Sequence, residues 1–240
     1  MNLIMLLLQQ LYEGICMEHY YSMLLKSPLF SALSAEELPH MLTCLQARRK
    51  QYNAKQFLIH ESDTIENLGV VLQGTVQIIS EDALGYRSIT TKLGPGELFG
   101  HIAASKLSPV SPVSVMAETD TEVLLLKFDK LVAPCTKACP FHSRVIENMM
   151  NVLAQRNLMM NRKLSILSKR SIRDKVLTYL AWQSQDAQNS EFTIPFNRDE
   201  LADYLCVNRS ALSREISNMT LEGYLQSERN YFKLNTKALA

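Results

Sequence analysis

Residues 197–225 have the sequence NRDELADYLCVNRSALSREISNMTLEGYL, which decides the fold of the C-terminal part of the chain. Asn197 and Glu200 have the spacing of a capping box and predict the start of a helix. Asn208 is a preferred N-cap and predicts a second helix, whose end is predicted by Gly223 because glycine accepts left-handed backbone. Two capped helices separated by about four residues predict a helix-turn-helix.

Both predicted helices have an apolar side, and the second also has a polar side. The apolar residues recur at helical spacing and are Leu201, Ala202, Leu205, Leu212, Ile216 and Met219. The polar residues of the second helix are Arg209, Ser210, Ser213, Arg214 and Ser217. A helix of this kind packs along one side and presents the other to solvent or to a partner.

The first turn of the second helix, where a recognition helix contacts bases, contains Arg209 and Ser210. Arginine can donate two hydrogen bonds to guanine, and serine can bind bases or phosphates. Arg198 lies in the first turn of the preceding helix, where free N–H groups favour a phosphate. The predicted DNA-contacting residues are Arg198, Asn208, Arg209, Ser210, Ser213 and Arg214.

Charge alone does not support DNA binding. The net charge of the chain is +1, and residues 171–240 contain eight Lys or Arg and nine Asp or Glu. An ordinary solvated polar face is the alternative explanation. The order of caps, small residue, turn and a following hairpin, in which YLQSERNYFKLN turns at residues 228–230, favours a DNA-binding winged helix-turn-helix.

The N-terminal half has a different pattern. From residue 54 to 130 the hydrophobic period is two, and short β-branched runs such as LGVVLQ (68–73) are separated by Gly, Pro, Asp and Asn. This pattern predicts an antiparallel sandwich or barrel-like roll. Residues 18–50 are predicted to be helical, with Ser34 and Glu37 forming a capping box.

Residues 141–169 contain neither Gly nor Pro and predict one long helix. Apolar positions alternate spacings of four and three, as in a coiled coil, and one member is polar. These seam residues are Ile146, Met150, Leu153, Asn157, Met160, Leu164 and Leu167. The narrow stripe favours a dimer seam, in which a lone Asn sets the register, and a helix facing the core of its own chain is the alternative.

Composition excludes several classes of protein. Hydrophobic residues make up 47% and charged residues 20% of the chain, which argues for a packed core. The run LIMLLL, at residues 3–8, is far too short to span a membrane. Five scattered cysteines predict a reducing, cytoplasmic location. Paired carboxylates or converging metal ligands are not evident on the predicted roll, so we expect no enzyme.

The chain resembles the CRP/FNR family of transcription regulators over nearly its whole length. The resemblance rests on GELFG, LGVVLQGTVQ, SIRDKVLTYL and the helix-turn-helix. It implies an α+β fold with a double-stranded β-roll of the cyclic-nucleotide-binding jelly-roll type over 18–140, a long dimerisation helix over 141–169 and a winged helix-turn-helix over 170–240. It also implies a homodimer on an inverted-repeat site in double-stranded DNA, with RNA polymerase as a partner and no membrane association.

Two departures from the family concern the helix-turn-helix. Relatives often have Glu at the position of Ser210, and glutamate accepts a hydrogen bond from cytosine more selectively than serine does. A glycine common in the turn is replaced here by Cys206 or a neighbour. We therefore expect a different base preference and a slightly altered turn.

The predicted effector site also departs from the family. In cyclic-nucleotide-binding relatives a Gly-Glu pair holds the ribose and an Arg-Ser pair neutralises the phosphate. In an alignment without gaps from Gly100 to Ala117, the Glu position is His101 and the Arg-Ser positions are Ser111 and Pro112. Burying a phosphate without a cation is unfavourable, so we expect an effector other than cyclic AMP or cyclic GMP.

The glycine-rich loop GPGELFGHIAA, residues 94–104, then has two interpretations. It is either a structural turn of the roll or part of a pocket for a less charged, unidentified small molecule. The pocket residues would be Gly100, His101, Ile102, Ser111, Val113, Met160 and Asn161. No cofactor is assigned.

A second hypothesis is a metal- or redox-responsive regulator that signals through Cys135, Cys139 and His142. Two thiolates and an imidazole could bind zinc or iron, or the thiols could oxidise. A fourth ligand is not evident, and ordinary residues at a helix start explain the same positions. No metal site is therefore assigned.

Overall fold

A computed structural model describes residues 17–81, 87–101, 110–132 and 141–235. The chain forms two compact units. One contains residues up to Ile78 together with Leu93–Ala154, and the other contains Ile79–Lys92 together with residues from Gln155 onward. None of the helices in the described ranges has the length and hydropathy that a membrane crossing requires.

Two short helices, α1 (Glu18–Leu24) and α2 (Glu37–Cys44), precede a β-roll. Its strands are β1 (Arg48–Tyr52), β2 (Phe57–Ile59), β3 (Asn67–Gln73), β4 (Val76–Glu81), β5 (Arg87–Leu93), β6 (Leu98–Phe99), β7 (Ser114–Ala117) and β8 (Thr121–Lys127). They form two sheets with the orders β1-β8-β3-β6 and β2-β7-β4-β5. The predicted roll is therefore confirmed, and its β4 and β5 extend into the second unit.

Strand β3 is a continuous apolar run because both of its faces are covered. Leu68 and Val70 belong to the core that includes α1 and α2. Val71 points to the opposite face and belongs to the core inside the roll. Gly69 leaves room there for Phe99, since a Cβ at position 69 would lie 2.0 Å from the ring atom Cζ.

The helical prediction for residues 18–50 is wrong at its end. Arg48–Tyr52 is strand β1, which pairs antiparallel with β8 at the edge of the sheet. Most of its side chains are polar and exposed, so its sequence has no alternation to predict a strand. The capping box is confirmed: the Ser34 N–H donates to Glu37 Oε2 at 2.9 Å, and the Glu37 N–H donates to Ser34 Oγ at 3.2 Å.

The short helix α3 (Phe128–Val132) follows the roll, and the long helix α4 (His142–Leu167) runs from the first unit into the second. The second unit continues with α5 (Ile172–Ala187), β9 (Glu191–Thr193), α6 (Arg198–Leu205), α7 (Arg209–Leu221), β10 (Leu225–Glu228) and β11 (Tyr231–Leu234). Strands β9 to β11 form a sheet in the order β10-β11-β9. The winged helix-turn-helix is thus confirmed.

Within the second unit, lysines link β5 to the helices. Lys92 Nζ lies 2.7 Å from Glu200 Oε1 in an ion pair with little solvent exposure. The Lys163 ammonium group donates to the Ile89 carbonyl oxygen and lies 4.4 Å from the centre of the Tyr204 ring. Burial lowers the pKa of Lys163 to about 8. None of these contacts is evident from the sequence, because their partners are distant along the chain.

The turn between α6 and α7 depends on left-handed backbone at Cys206. Its φ is 52° and its ψ is 56°. The following N–H, of Val207, donates to the Ala202 carbonyl oxygen at 3.0 Å and closes the helix end. A residue with a Cβ is strained in this conformation, whereas glycine is not.

Replacing Cys206 with glycine should therefore stabilise the helix-turn-helix by about 0.5–1 kcal/mol. Hydrogen exchange of the α6 and α7 amides in the full-length protein would measure the change. Cys206→Ala is the control, because it removes the thiol but keeps the strained backbone. Equal stabilisation by alanine would contradict the explanation.

Candidate nucleic-acid interface and effector region

Helix α7 is capped by Asn208, whose side-chain oxygen accepts hydrogen bonds from the N–H groups of Ser210 at 2.9 Å and Ala211 at 3.3 Å. The Ser210 hydroxyl also donates to this oxygen, at 2.5 Å. Asn208, predicted to contact DNA, therefore has a structural role as the helix cap.

The hydroxyl of Ser210 is oriented by this cap. Its hydrogen is used by Asn208, so its remaining lone pairs can only accept hydrogen bonds. The amino groups of cytosine and adenine are the donors in the major groove. In this rotamer Ser210 can therefore contact one of these amino groups, as a glutamate at the position would.

The exposed surface of α7 includes most of the predicted DNA-contacting residues. Arg209, Ser210 and Arg214 are exposed and Ser213 is half-buried, while Leu212 and Ile216 on the other side are buried. Arg209 Nε lies 2.5 Å from Asp199 Oδ1 in an exposed ion pair. Arg209 and Ser210 thus lie at the N-terminal end of α7, and Ser213 and Arg214 lie about one turn further along the same helix.

Arg198 has a different environment from the one predicted. Its guanidinium lies 5.5 Å from the centre of the Phe232 ring, and Nη2 donates to the Arg229 carbonyl oxygen at 3.4 Å. Nη1 is buried without a hydrogen-bond partner in the described part of the chain. Burial lowers the pKa of this side chain. In this conformation Arg198 lies over the hairpin formed by β10 and β11, which is the wing. A contact between Arg198 and a DNA phosphate would require its side chain to turn outward.

Sequence reasoning missed the ion pairs that support α7. Arg173 on α5 donates from Nη1 and Nη2 to Glu222 at 2.8 Å each and from Nε to Glu215 at 2.6 Å. The hydrogen bonds that Arg173 donates to Glu222 and Glu215 raise the pKa of its guanidinium above the ordinary value. This bidentate clamp holds the C-terminal half of α7 against α5, whereas Arg214 remains exposed.

The glycine-rich loop is a tight turn at its start. The Gly94 N–H donates to Glu97 Oε2 at 2.8 Å, and the Gly96 N–H donates to the Val71 carbonyl oxygen at 2.8 Å. The Glu97 N–H donates back to Gly94 at 3.1 Å, and Pro95 has no N–H. Residues 94–97 therefore use their backbone donors internally and do not form an anion cradle.

The other predicted pocket residues lie in several places. Gly100 has a φ of 73°, and a Cβ there would lie 2.8 Å from the Asn67 carbonyl oxygen. His101 is half-buried. The Ser111 hydroxyl donates to the Val113 carbonyl oxygen at 2.5 Å. The Ser111 N–H donates to the backbone carbonyl oxygen of Asp63 at 2.8 Å. Met160 and Asn161 are exposed on α4 in the second unit, and Ile102 lies outside the described residues.

His142, a candidate metal ligand, is buried at the start of α4. Its Nε2 lies 2.9 Å from the Leu131 carbonyl oxygen and donates to it, and Nδ1 has no partner in the described residues. Cys135 and Cys139 lie outside the described residues. Among the residues that are described, no group of three or more metal-binding side chains occurs.

Most of the predicted seam residues of α4 are exposed, but Leu153 and Leu167 are half-buried. Met150 is 63% exposed and Leu164 is 61% exposed, and Ile146 and Met160 are also exposed. Leu153 is half-buried against the core, and Asn157 Oδ1 accepts from Asn161 at 3.2 Å. Another side of the same helix, which includes Val145, Met149 and Val152, is buried.

Two family models match the chain in the order of its parts. The model of the cyclic nucleotide-binding domain matches residues 49–136. The model of the Crp-like helix-turn-helix domain matches residues 174–240. The second match includes the whole of the surface formed by α6, α7 and the wing.

Individual relatives agree with these matches. The chain is 28% identical to the cyclic AMP receptor protein of Thermus thermophilus over 200 aligned residues. These residues make up 83% of this chain and 88% of that protein. This chain is 21% identical over 208 residues to the anaerobic regulatory protein of Pasteurella multocida, covering 85% and 74% respectively.

Solved structures show the same fold. The c-di-GMP-responsive global regulator CLP of Xanthomonas campestris has a TM-score of 0.68 at 21% identity, covering 84% of this chain and 99% of that chain. FixK2 of Bradyrhizobium japonicum has a TM-score of 0.62 at 22% identity, covering 80% and 93% respectively. With the β-roll, the long helix and the helix-turn-helix all present, this chain belongs to the CRP/FNR family of DNA-binding transcription regulators.

Proposed function

We propose that this protein is an effector-responsive homodimer that binds an inverted-repeat DNA site through the N-terminal turn of α7 and acts with RNA polymerase in the cytoplasm. The main support is the exposure of Arg209, Ser210 and Arg214 on one capped helix. Half-sites would lie roughly 34 Å apart, one turn of the double helix. An enzymatic role has no support in the matched family.

The domain boundaries expected from the sequence remain part of this proposal. Residues 18–140 would sense the effector, residues 141–169 would dimerise and residues 170–240 would bind DNA. Effector binding would shift the population between DNA-competent and DNA-incompetent dimers. Arginine at the start of α7 would contact guanine, and Ser210 would accept from the amino group of cytosine or adenine.

Replacing Arg209 or Arg214 with alanine should weaken binding to the preferred DNA site about tenfold or more, because a lost bidentate base contact has an effect of this size. The site would first be selected from random duplexes with the wild-type protein. Fluorescence anisotropy at one fixed salt concentration would then compare the variants.

Arg48→Ala is the matched control, since it removes the same charge from the exposed strand β1. It should change neither affinity nor base preference. Unchanged binding by both α7 variants would contradict the assignment of α7 as the recognition helix.

The proposed dimer is supported by the exposed apolar side of α4. Four large apolar residues of the predicted seam, Ile146, Met150, Met160 and Leu164, are exposed, and a second copy would cover them. A coiled-coil seam would place the stripe of one chain against that of its partner, with Asn157 setting the register.

Leu164→Glu should shift the protein to monomers, because it would bury a charge in the seam. Leu158→Glu is the matched control, since Leu158 is 66% exposed on the same helix but lies about 120° around it from Leu164. Sedimentation velocity would measure the dimer fraction. An equal dimer fraction for the Leu164→Glu and Leu158→Glu variants would disprove the proposal that the seam residues form the dimer interface.

The effector is proposed to be a molecule other than cyclic AMP or cyclic GMP. The Ser111 hydroxyl and N–H, at the position where relatives have the phosphate-binding arginine, are both used within the chain. The Thermus thermophilus relative is named as a cyclic AMP receptor, and that name applies to that protein. Residue 111 of this chain is a serine, so it has no positive charge to pair with a cyclic phosphate. Of the predicted pocket residues, Gly100, His101, Ser111 and Val113 are described in the β-roll and remain the proposed pocket.

Isothermal titration with cyclic AMP or cyclic GMP at concentrations up to about 1 mM should therefore show no saturable heat, since an unpaired buried phosphate is unfavourable. A cyclic-AMP-binding member of the family, titrated in parallel, controls for the activity of the nucleotide. A micromolar dissociation constant for this protein would contradict the proposal.

The metal- or redox-responsive alternative has no observation in its favour among the described residues. The Nε2 of His142 already donates to the Leu131 carbonyl oxygen, which leaves only Nδ1 for a metal. This alternative is therefore not proposed.

A further inference from the structure

Asp199 lies where the first turn of α6 meets the first turn of α7. It is the second residue of α6, and its Oδ1 lies 2.5 Å from Nε of Arg209, the first residue of α7. Both side chains are 66% exposed. The pair therefore lies at the surface that the proposed function brings to DNA.

Neither helix needs this contact for its cap. The capping box of α6 is complete with Asn197 and Glu200, and α7 is capped by Asn208. An exposed ion pair adds little to stability. The effect of the pair must then be sought in what it does to the orientation of Arg209.

The contact uses one particular part of the guanidinium. Arginine has one inner donor, Nε, and two terminal nitrogens, and guanine is bound by two parallel hydrogen bonds to O6 and N7. Because the closest approach to Asp199 is made by Nε of Arg209, the two terminal nitrogens lie at the far end of the guanidinium and can form that donor pair. A guanidinium can offer guanine either its two terminal nitrogens or Nε with one terminal nitrogen. The contact with Asp199 favours the first of these arrangements before DNA binds, so less side-chain entropy is lost on binding.

The carboxylate has the opposite effect on the DNA backbone. Phosphates attract proteins regardless of sequence, and a negative charge next to the reading arginine repels them. Asp199 should therefore reduce affinity for every sequence while increasing the preference of Arg209 for guanine. A purely structural residue would not produce these opposed effects.

We propose that Asp199 is a positioning residue that sets the guanine specificity of Arg209 and lowers affinity for non-specific DNA. The inference rests on the proposed function, because it needs α7 to read a DNA site. In this role Asp199 acts through Arg209 and not through a base contact of its own.

The test uses Asp199→Asn in the full-length protein with the site selected by the wild type. The base pair contacted by Arg209 is the one at which Arg209→Ala loses discrimination. At that base pair, the Asp199→Asn variant should lose about two- to fivefold of its discrimination between bases, because an exposed ion pair has an effect of this size, while discrimination at other positions should be unchanged. Affinity for random-sequence DNA should rise several-fold at the same salt concentration.

Two further variants separate positioning from charge and from fold. Glu228→Gln removes a negative charge from the exposed wing and should raise non-specific affinity without changing base preference. Asp199→Asn combined with Arg209→Ala should discriminate no worse than Arg209→Ala alone, since coupled residues are not additive.

Full discrimination by Asp199→Asn, or an equal loss at every position, would overturn this inference and leave the proposed function intact. A wild-type protein that selects no sequence would overturn the proposed function, and this inference with it.

Discussion

The side-chain oxygen of Asn208 organises the candidate DNA-contacting surface. Three donors converge on it, namely two backbone N–H groups and the Ser210 hydroxyl. The left-handed residue Cys206 ends α6 two positions earlier, so the chain reverses over a very short distance. Because the turn is this short, the cap determines where Arg209 and Ser210 lie relative to α6. The contact between Arg209 and Asp199 follows from the same geometry.

Residues 171–240 have a net charge of −1, eight Lys or Arg against nine Asp or Glu, and some of the arginines make contacts within the chain. Arg173 is clamped by Glu215 and Glu222, and Arg198 is half-buried over Phe232. Arg209 and Arg214 are exposed on α7. Within the described part of residues 171–235, the exposed cations are Arg209, Arg214 and Arg229, so the sequence-independent attraction to phosphates would be weak. Under the proposed function, binding would then depend on base contacts more than on charge.

Local patterns predicted much of the fold. The capping boxes at Ser34 and Asn197 are in the sequence because their partners lie three residues away. β1 was missed because its polar residues contain no period, and its partner strand lies more than sixty residues later. The pairing of Asp199 with Arg209 was missed for another reason. It depends on the angle between two helices, which caps and hydrophobic spacing do not specify.

Helix α4 restricts how a proposed signal can reach DNA. It contributes Val145 and Met149 to the core of the first unit and Ile166 to the second, and its seam side remains exposed. A helix is stiff, so repacking on the buried side would reorient the seam side as well. In the proposed dimer, sliding along the seam would place Asn157 against apolar residues and leave a polar group unsatisfied. Rotation or a change in crossing angle avoids this penalty, so we infer that the transition between dimer states is of that kind.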